Sequence, residues 1–315
     1  MIHYYQGGWY FMLKYVILLI GFIMLIKGAD VFVDCSSAIA KRFGIPSIIV
    51  GLTIVAMGTS APEFSVSVQS ALAGMNDMSI ANVIGSNMFN LLVVLGLSSV
   101  VNKLKINNYK DVYIMLVVGL IMLICSADGL LNVFDGALLL VIFTFYILSL
   151  IYKAYNGNQK EETEEKQKSL ITTIVLSILG LGAIIWGGDL VVNSASAIAQ
   201  QLGMSENLVG LTVVAIGTSL PELVTSLVAT KKGEVDIAVG NVVGSNIFNM
   251  LLILGTSSII NPMAVAYFTF LDILFIIGAM AMFILMTYSS KTLNKEKGLP
   301  LVLVYIIYII FTIIR

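Results

Sequence analysis

Apolar residues in this chain come in blocks of about twenty or more, the length that crosses a bilayer as a helix, separated by short polar stretches. The blocks are too long for barrel strands, and lipid leaves only helices or closed barrels able to satisfy the backbone. The pattern therefore predicts an all-α integral membrane protein. It places ten spans at roughly 11–33, 46–73, 79–102, 111–127, 134–155, 169–192, 205–230, 236–260, 264–288 and 299–314. Residues 1–10 read as an N-terminal extension, 11–155 as one five-helix unit, 156–168 as a linker and 169–315 as a second five-helix unit. The polar, charged run Asn156–Ser169 reads as a solvated connection too short for a folded domain.

The two units are copies. GLTIVAMGTSAPEF…ANVIGSNMFNLLVVLG from Gly51 to Gly96 matches GLTVVAIGTSLPEL…GNVVGSNIFNMLLILG from Gly210 to Gly255 at a constant offset of 159, with 23 of 46 positions identical. The same offset pairs Asp30 with Asp189 and Gly44 with Gly203. Two unrelated apolar helices would share Leu, Ile and Val; these share Gly, Thr, Ser, Pro, Glu and Asn at fixed places.

Composition agrees with the bilayer. The chain is 58% hydrophobic and 11% charged, against about 25% charged in soluble domains. Net charge is −1, with no basic or acidic tail to suggest nucleic acid or a charged soluble partner, and no protein partner is deducible. Cys35 and Cys125 lie far apart without metal-ligand spacing. His3 is the only histidine, which removes mechanisms needing a histidine base or paired imidazole ligands.

The placement of charge gives orientation. Lys41, Arg42, Lys103, Lys105, Lys110, Lys153, Lys160, Lys166, Lys168, Lys231, Lys232, Lys291, Lys295 and Lys297 fall in connections on one face of the ten-span topology. Under the positive-inside rule that face is cytoplasmic, both termini lie outside, and the protein is multi-pass in the cell membrane. Five spans per copy force the second copy to enter inverted. Its loops record this: Lys41 and Arg42 correspond to Gln200 and Gln201, while Lys231 and Lys232 correspond to Leu72 and Ala73. Inverted repeats are a signature of secondary transporters, whose substrate binds where the repeats meet.

Glu63 and Glu222 stand inside apolar spans, where an ionised carboxylate costs several kcal/mol unless paired, hydrated or protonated. In Gly58-Thr59-Ser60-Ala61-Pro62-Glu63 and Gly217-Thr218-Ser219-Leu220-Pro221-Glu222, proline should kink the helix and free a carbonyl. Thr59 and Glu63, like Thr218 and Glu222, are four residues apart and so expected on one helix face. The following span adds Asn82, Ser86 and Asn90, repeated as Asn241, Ser245 and Asn249. For Asn82 and Asn241, hydrogen bonding between helices is the competing reading, with Gly85 and Gly244 permitting close approach. Carboxylate, hydroxyl, amide and carbonyl oxygens suit a hard cation, calcium above all, and the lack of soft or imidazole ligands disfavours zinc, copper and iron.

At these residues the chain resembles the cation/calcium exchanger superfamily: GTSAPE with GSNMFN and GTSLPE with GSNIFN are similar to its two alpha repeats, in the sodium/calcium branch. The resemblance spans essentially the whole chain. It implies ten helices in two inverted repeats around four central ion sites. Glu63 and Glu222 are implied as main calcium ligands, with Thr59 and Thr218 contributing backbone carbonyls. Ser60, Ser219, Ser86 and Ser245 are implied as sodium ligands, Ala56 and Ala215 as carbonyl donors to sodium, and Asn90 and Asn249 as central polar positions. Potassium-dependent relatives carry aspartate at the place of Asn249, so asparagine here counts against obligatory potassium cotransport.

The expected function is sodium/calcium antiport by alternating access, electrogenic and potassium-independent, with inorganic cations as substrates and no cofactor. A proton/calcium antiporter is the alternative, with Glu63 and Glu222 taking protons. A cation channel lacks a selectivity-loop pattern, and an enzyme lacks a base and nucleophile beyond the ion-site groups. Asp30, Asp34 and Asp189 read as interfacial residues near span ends, with guarding an ion path as the other reading.

Overall fold

The computed structural model describes residues 2–107, 109–156, 169–204 and 215–314, and it is helical apart from two short ribbons. In the first half α1 is Ile2–Phe43, α2 Ser47–Thr59, α3 Ala61–Leu72, α4 Asn76–Val101, α5 Tyr109–Cys125 and α6 Val133–Asn156. In the second, α7 is Leu170–Gln201, α8 Leu220–Lys231, α9 Val235–Ile260, α10 Tyr267–Tyr288 and α11 Lys295–Ile314, with one short turn, Ala215–Gly217, ahead of α8. Among the described residues six helices are long and apolar enough to span a bilayer, or seven if the bent pair α2–α3 is one span. The start of the expected span 205–230, at 205–214, and the linker beyond Asn156 lie outside the described residues.

Hydropathy misplaced the end of α1. The apolar block stops near residue 33, but Ser36 and Ser37 are buried and the helix continues through the polar stretch to Phe43. Polar residues end a span without ending a helix when they are packed against protein.

The expected proline kinks are sharper than kinks. α2 and α3 meet at 49° across Ser60 (φ −83°, ψ 6°), and Ser219 takes nearly the same backbone before α8 (φ −90°, ψ 6°). Pro62 and Pro221 sit in the first turn of the new helices, where a missing N–H leaves nothing unsatisfied. Each glutamate-bearing helix then turns back at a glycine in the left-handed region, Gly74 (φ 74°) or Gly233 (φ 81°). The N–H groups of Met75 and Glu234 close these turns on Ser70 and Ala229 carbonyls at 2.8 and 2.9 Å. The result is a hairpin that lays α4 against α3, and α9 against α8.

The ribbons show how the halves interlock. β1 (Leu104–Lys105) pairs with β4 (Thr292–Leu293), and β2 (Leu130–Leu131) pairs with β3 (Met263–Ala264), all antiparallel. Leu104 and Met263 are repeat equivalents, so each half's first strand pairs with the other half's second.

Burial separates centre from periphery. In their most apolar windows 94% of α9 and 78% of α4 is buried, against 22% of α6 and 28% of α7. Leu19, Phe145, Ile171 and Trp186 are exposed on the outer helices, as a lipid-facing surface requires. α1 and α7 pack backbone to backbone: a Cβ on Gly28 would stand 2.7 Å from Gly180 O, and one on Gly187 2.7 Å from Leu25 N.

The two halves differ in conformation. A Cβ on Gly244 would meet the Ala56 Cβ at 2.7 Å, so α9 is closed on α2. Met78 is 48% exposed while its equivalent Ile237 is 0% exposed. α1 lies along α8, whereas α7 and α3, the equivalent pair, barely meet.

Candidate cation site

Glu63 and Glu222 are fully buried at the ends of α3 and α8 that face the centre, where α4 and α9 cross. Glu63 Oε1 accepts from Ser86 at 3.2 Å and from Ser219 of the other repeat at 3.1 Å, and the two serine oxygens stand 3.0 Å apart. Glu222 Oε1 accepts from Ser60 of the other repeat at 2.9 Å. Each carboxylate is thus held by a serine from the opposite half.

Glu63 Oε2, Glu222 Oε2, Asn90 Oδ1 and Asn249 Oδ1 are all buried acceptors without a hydrogen-bond partner among the described residues. Neither glutamate takes part in the ion pairs among those residues, which involve Lys153 and Lys232. Two carboxylates buried without a basic partner call for a bound cation or protons to offset their charge. The convergent atoms are all oxygen, the donor set of calcium and sodium.

Helix irregularities aim these groups. Asn249 opens the π-helical turn Asn249–Ile253, and Asn90 is the second residue of the corresponding turn Phe89–Val94. Such wider turns frequently occur at functional sites. A third, Gly51–Val55, precedes Ala56 in α2.

The other expected residues are placed as follows. Ser245 donates to the Ala56 carbonyl across the repeats at 3.5 Å, and that carbonyl also takes the Ser60 N–H at 3.0 Å. Ala215 opens the turn before α8. Thr218 Oγ1 is buried without a partner among the described residues. Thr59 is the last residue of α2, directly before the break at Ser60. Its hydroxyl donates toward Val55 O at 3.1 Å and Asn241 Oδ1 at 3.0 Å.

Asn82 and Asn241 do act as helix-to-helix bridges. Asn82 Nδ2 reaches Ser67 at 2.9 Å and the Glu63 carbonyl at 3.2 Å; Asn241 Nδ2 reaches Ser226 at 2.9 Å and the Glu222 carbonyl at 3.4 Å. Both brace the backbone of a glutamate. Asn87 and Asn246 were not singled out from the sequence, yet they tie the halves together. Each amide donates to the other's carbonyl, at 3.2 and 3.3 Å, and Asn87 Oδ1 takes an Asn249 amide hydrogen at 2.9 Å. Asn249 Nδ2 also donates to Ser86 Oγ at 3.2 Å, while its Oδ1 has no partner among the described residues. The appearance of Asn87 and Asn246 at the same place in both copies of GSN was the available signal.

The sodium/calcium exchanger protein family model matches residues 13–152 and 172–314. CaxA of Alkalimonas amylolytica, provisionally named an antiporter, is 37% identical over 257 residues, covering 78% of this chain and 81% of CaxA. The sodium/calcium exchanger MaX1 of Methanosarcina acetivorans is 29% identical over 341 residues, covering 94% of this chain and 97% of MaX1. Among solved structures, the sodium-calcium exchanger NCX_Mj soaked with sodium and strontium superposes with a TM-score of 0.85 at 30% identity, over 95% of this chain and 98% of that one.

Proposed function

Because this chain belongs to the sodium/calcium exchanger family of multi-pass membrane transporters, we propose that it is a secondary antiporter exchanging sodium for calcium by alternating access. The reading rests above all on four buried acceptor oxygens without donors among the described residues, contributed by Glu63, Glu222, Asn90 and Asn249 where the two halves meet. Glu63 and Glu222 hold calcium, with carbonyls of Thr59 and Thr218. Sodium is held by Ser60, Ser219, Ser86 and Ser245, with carbonyls of Ala56 and Ala215. Asn90 and Asn249 complete the centre.

In this reading ten helices cross the membrane as two inverted repeats, with both termini outside. The loops of Lys41 and Lys231 are then cytoplasmic, and the closed contact between α2 and α9 seals that side. The α1–α7 pair moves across the central helices, and the repeats exchange conformations as the site is presented to the other side. Two carboxylates offset one calcium ion, whereas a load of about three sodium ions, which the family resemblance implies, leaves about one positive charge to move through the field.

Calcium binding to the purified chain, titrated calorimetrically at fixed pH with rising sodium, tests the coupling ion. Sodium should weaken calcium binding steeply and cooperatively. Displacement by protons alone, with sodium inert, would assign the chain to proton/calcium exchange.

A further inference from the structure

Lys232, in the loop between α8 and α9, reaches across to α1. Its Nζ stands 2.6 Å from Asp34 Oδ1 and 2.8 Å from Asp30 Oδ1, and it donates to the Asp30 carbonyl at 2.7 Å. Two residues on, Glu234 Oε1 accepts from the buried Ser37 hydroxyl at 2.5 Å. Asp30, Asp34 and Ser37 are spaced i, i+4, i+7 and so form one stripe along α1. The α8–α9 loop clasps that stripe at two points.

The repeat supplies no second clasp. On α7 the stripe persists in part as Asp189, Asn193 and Ser196, but the equivalents of Lys232 and Glu234 are Ala73 and Met75. The clasp also lies on the side where α1 runs along α8, while α7 and α3 barely meet. An exchange of conformations between the halves would draw α1 away from α8 and bring α7 to α3, where no lysine or carboxylate waits in the loop.

We propose that the contact of Lys232 and Glu234 with Asp30, Asp34 and Ser37 is a one-sided latch, which favours the arrangement seen here over its mirror image and so sets the balance between the two access states. The inference rests on the alternating-access reading. Half-exposed ion pairs add little to overall stability. A two-state equilibrium nevertheless responds in full to an interaction present in only one state, and losing the lysine should shift it about fivefold.

The test uses two reporter cysteines in the full chain, in nanodiscs open to a hydrophilic maleimide from both faces. Ile237 is buried in this arrangement and Met78 is exposed, so Ile237→Cys reports on the closed half and Met78→Cys on the open one; in the mirror state their environments exchange. Peptide mass mapping separates these sites from the buried Cys35 and Cys125. Lys232→Gln should raise the labelling rate of the Ile237→Cys reporter about fivefold without raising that of the Met78→Cys reporter. Exchanging the charges, Lys232→Asp with Asp34→Lys, should return the rate toward that of the parent. An unchanged rate at the Ile237→Cys reporter overturns the latch, and so does an equal rise at both reporters, which would mean general loosening. Sodium-driven calcium flux in the parent is measured beside it: loss of that flux would remove the exchange reading itself, so the two failures are told apart.

Discussion

Ser219 Oγ of the second repeat stands 3.1 Å from Glu63 Oε1 of the first. Ser60 makes the reciprocal contact to Glu222 at 2.9 Å. Neither half therefore builds its carboxylate site alone, and the charge of both glutamates is concentrated at one interface. Glu63→Gln and Glu222→Gln should each reduce calcium transport about a hundredfold, since the amide keeps the size and removes the charge that offsets the ion. Inserted, folded variants with parental calcium flux would contradict a two-carboxylate site.

The paired asparagines should separate in stability. Asn241 is fully buried and bonded to Thr59, Ser226 and the Glu222 carbonyl, whereas Asn82 is half-buried and bridges Ser67 and the Glu63 carbonyl without a threonine partner. Asn241→Ala should lower stability by about 1–3 kcal/mol, the cost of leaving buried polar groups unpaired, and Asn82→Ala by less. Thermal unfolding in detergent reads the difference, and equal shifts would count against the asymmetry. Both substitutions should harm transport less than either glutamine variant.

Much of this architecture is legible because a membrane leaves few choices. Apolar blocks must be helices, and the constant repeat offset exposes Glu63 and Glu222 as one position used twice. The sharp break at Ser60 follows from Pro62, which lies four residues beyond Gly58 and cannot continue its helix. What stayed hidden depends on contacts between distant segments. Nothing local distinguishes Asn87 from other helix-packing amides, and its bond to Asn249 appears only when α4 and α9 cross. Asp34 reads as an interfacial charge until Lys232, far along the chain, is folded against it. The difference in exposure between Met78 and Ile237 depends on which distant segments pack over them, which neither local sequence reveals.

Topology has its own test. Cysteines introduced beside Lys41 and Lys231 should react with an impermeant reagent from the cytoplasm, and those beside Ala73 and Gln200 from outside. Labelling near Lys41 and Gln200 from the same side would make the halves parallel and defeat the inverted arrangement.

The most direct measurement is calcium uptake by proteoliposomes carrying an outward sodium gradient, with potassium absent and the potential clamped by another permeant ion. Uptake should follow the sodium gradient, need no potassium, and respond to voltage as about one net charge per cycle. A potential of 100 mV acts on one such charge with about 2.3 kcal/mol, enough to shift a limiting equilibrium roughly fiftyfold. Uptake that ignores sodium and follows an imposed pH gradient would contradict sodium/calcium exchange, and uptake that appears only with potassium would contradict the role given to Asn249.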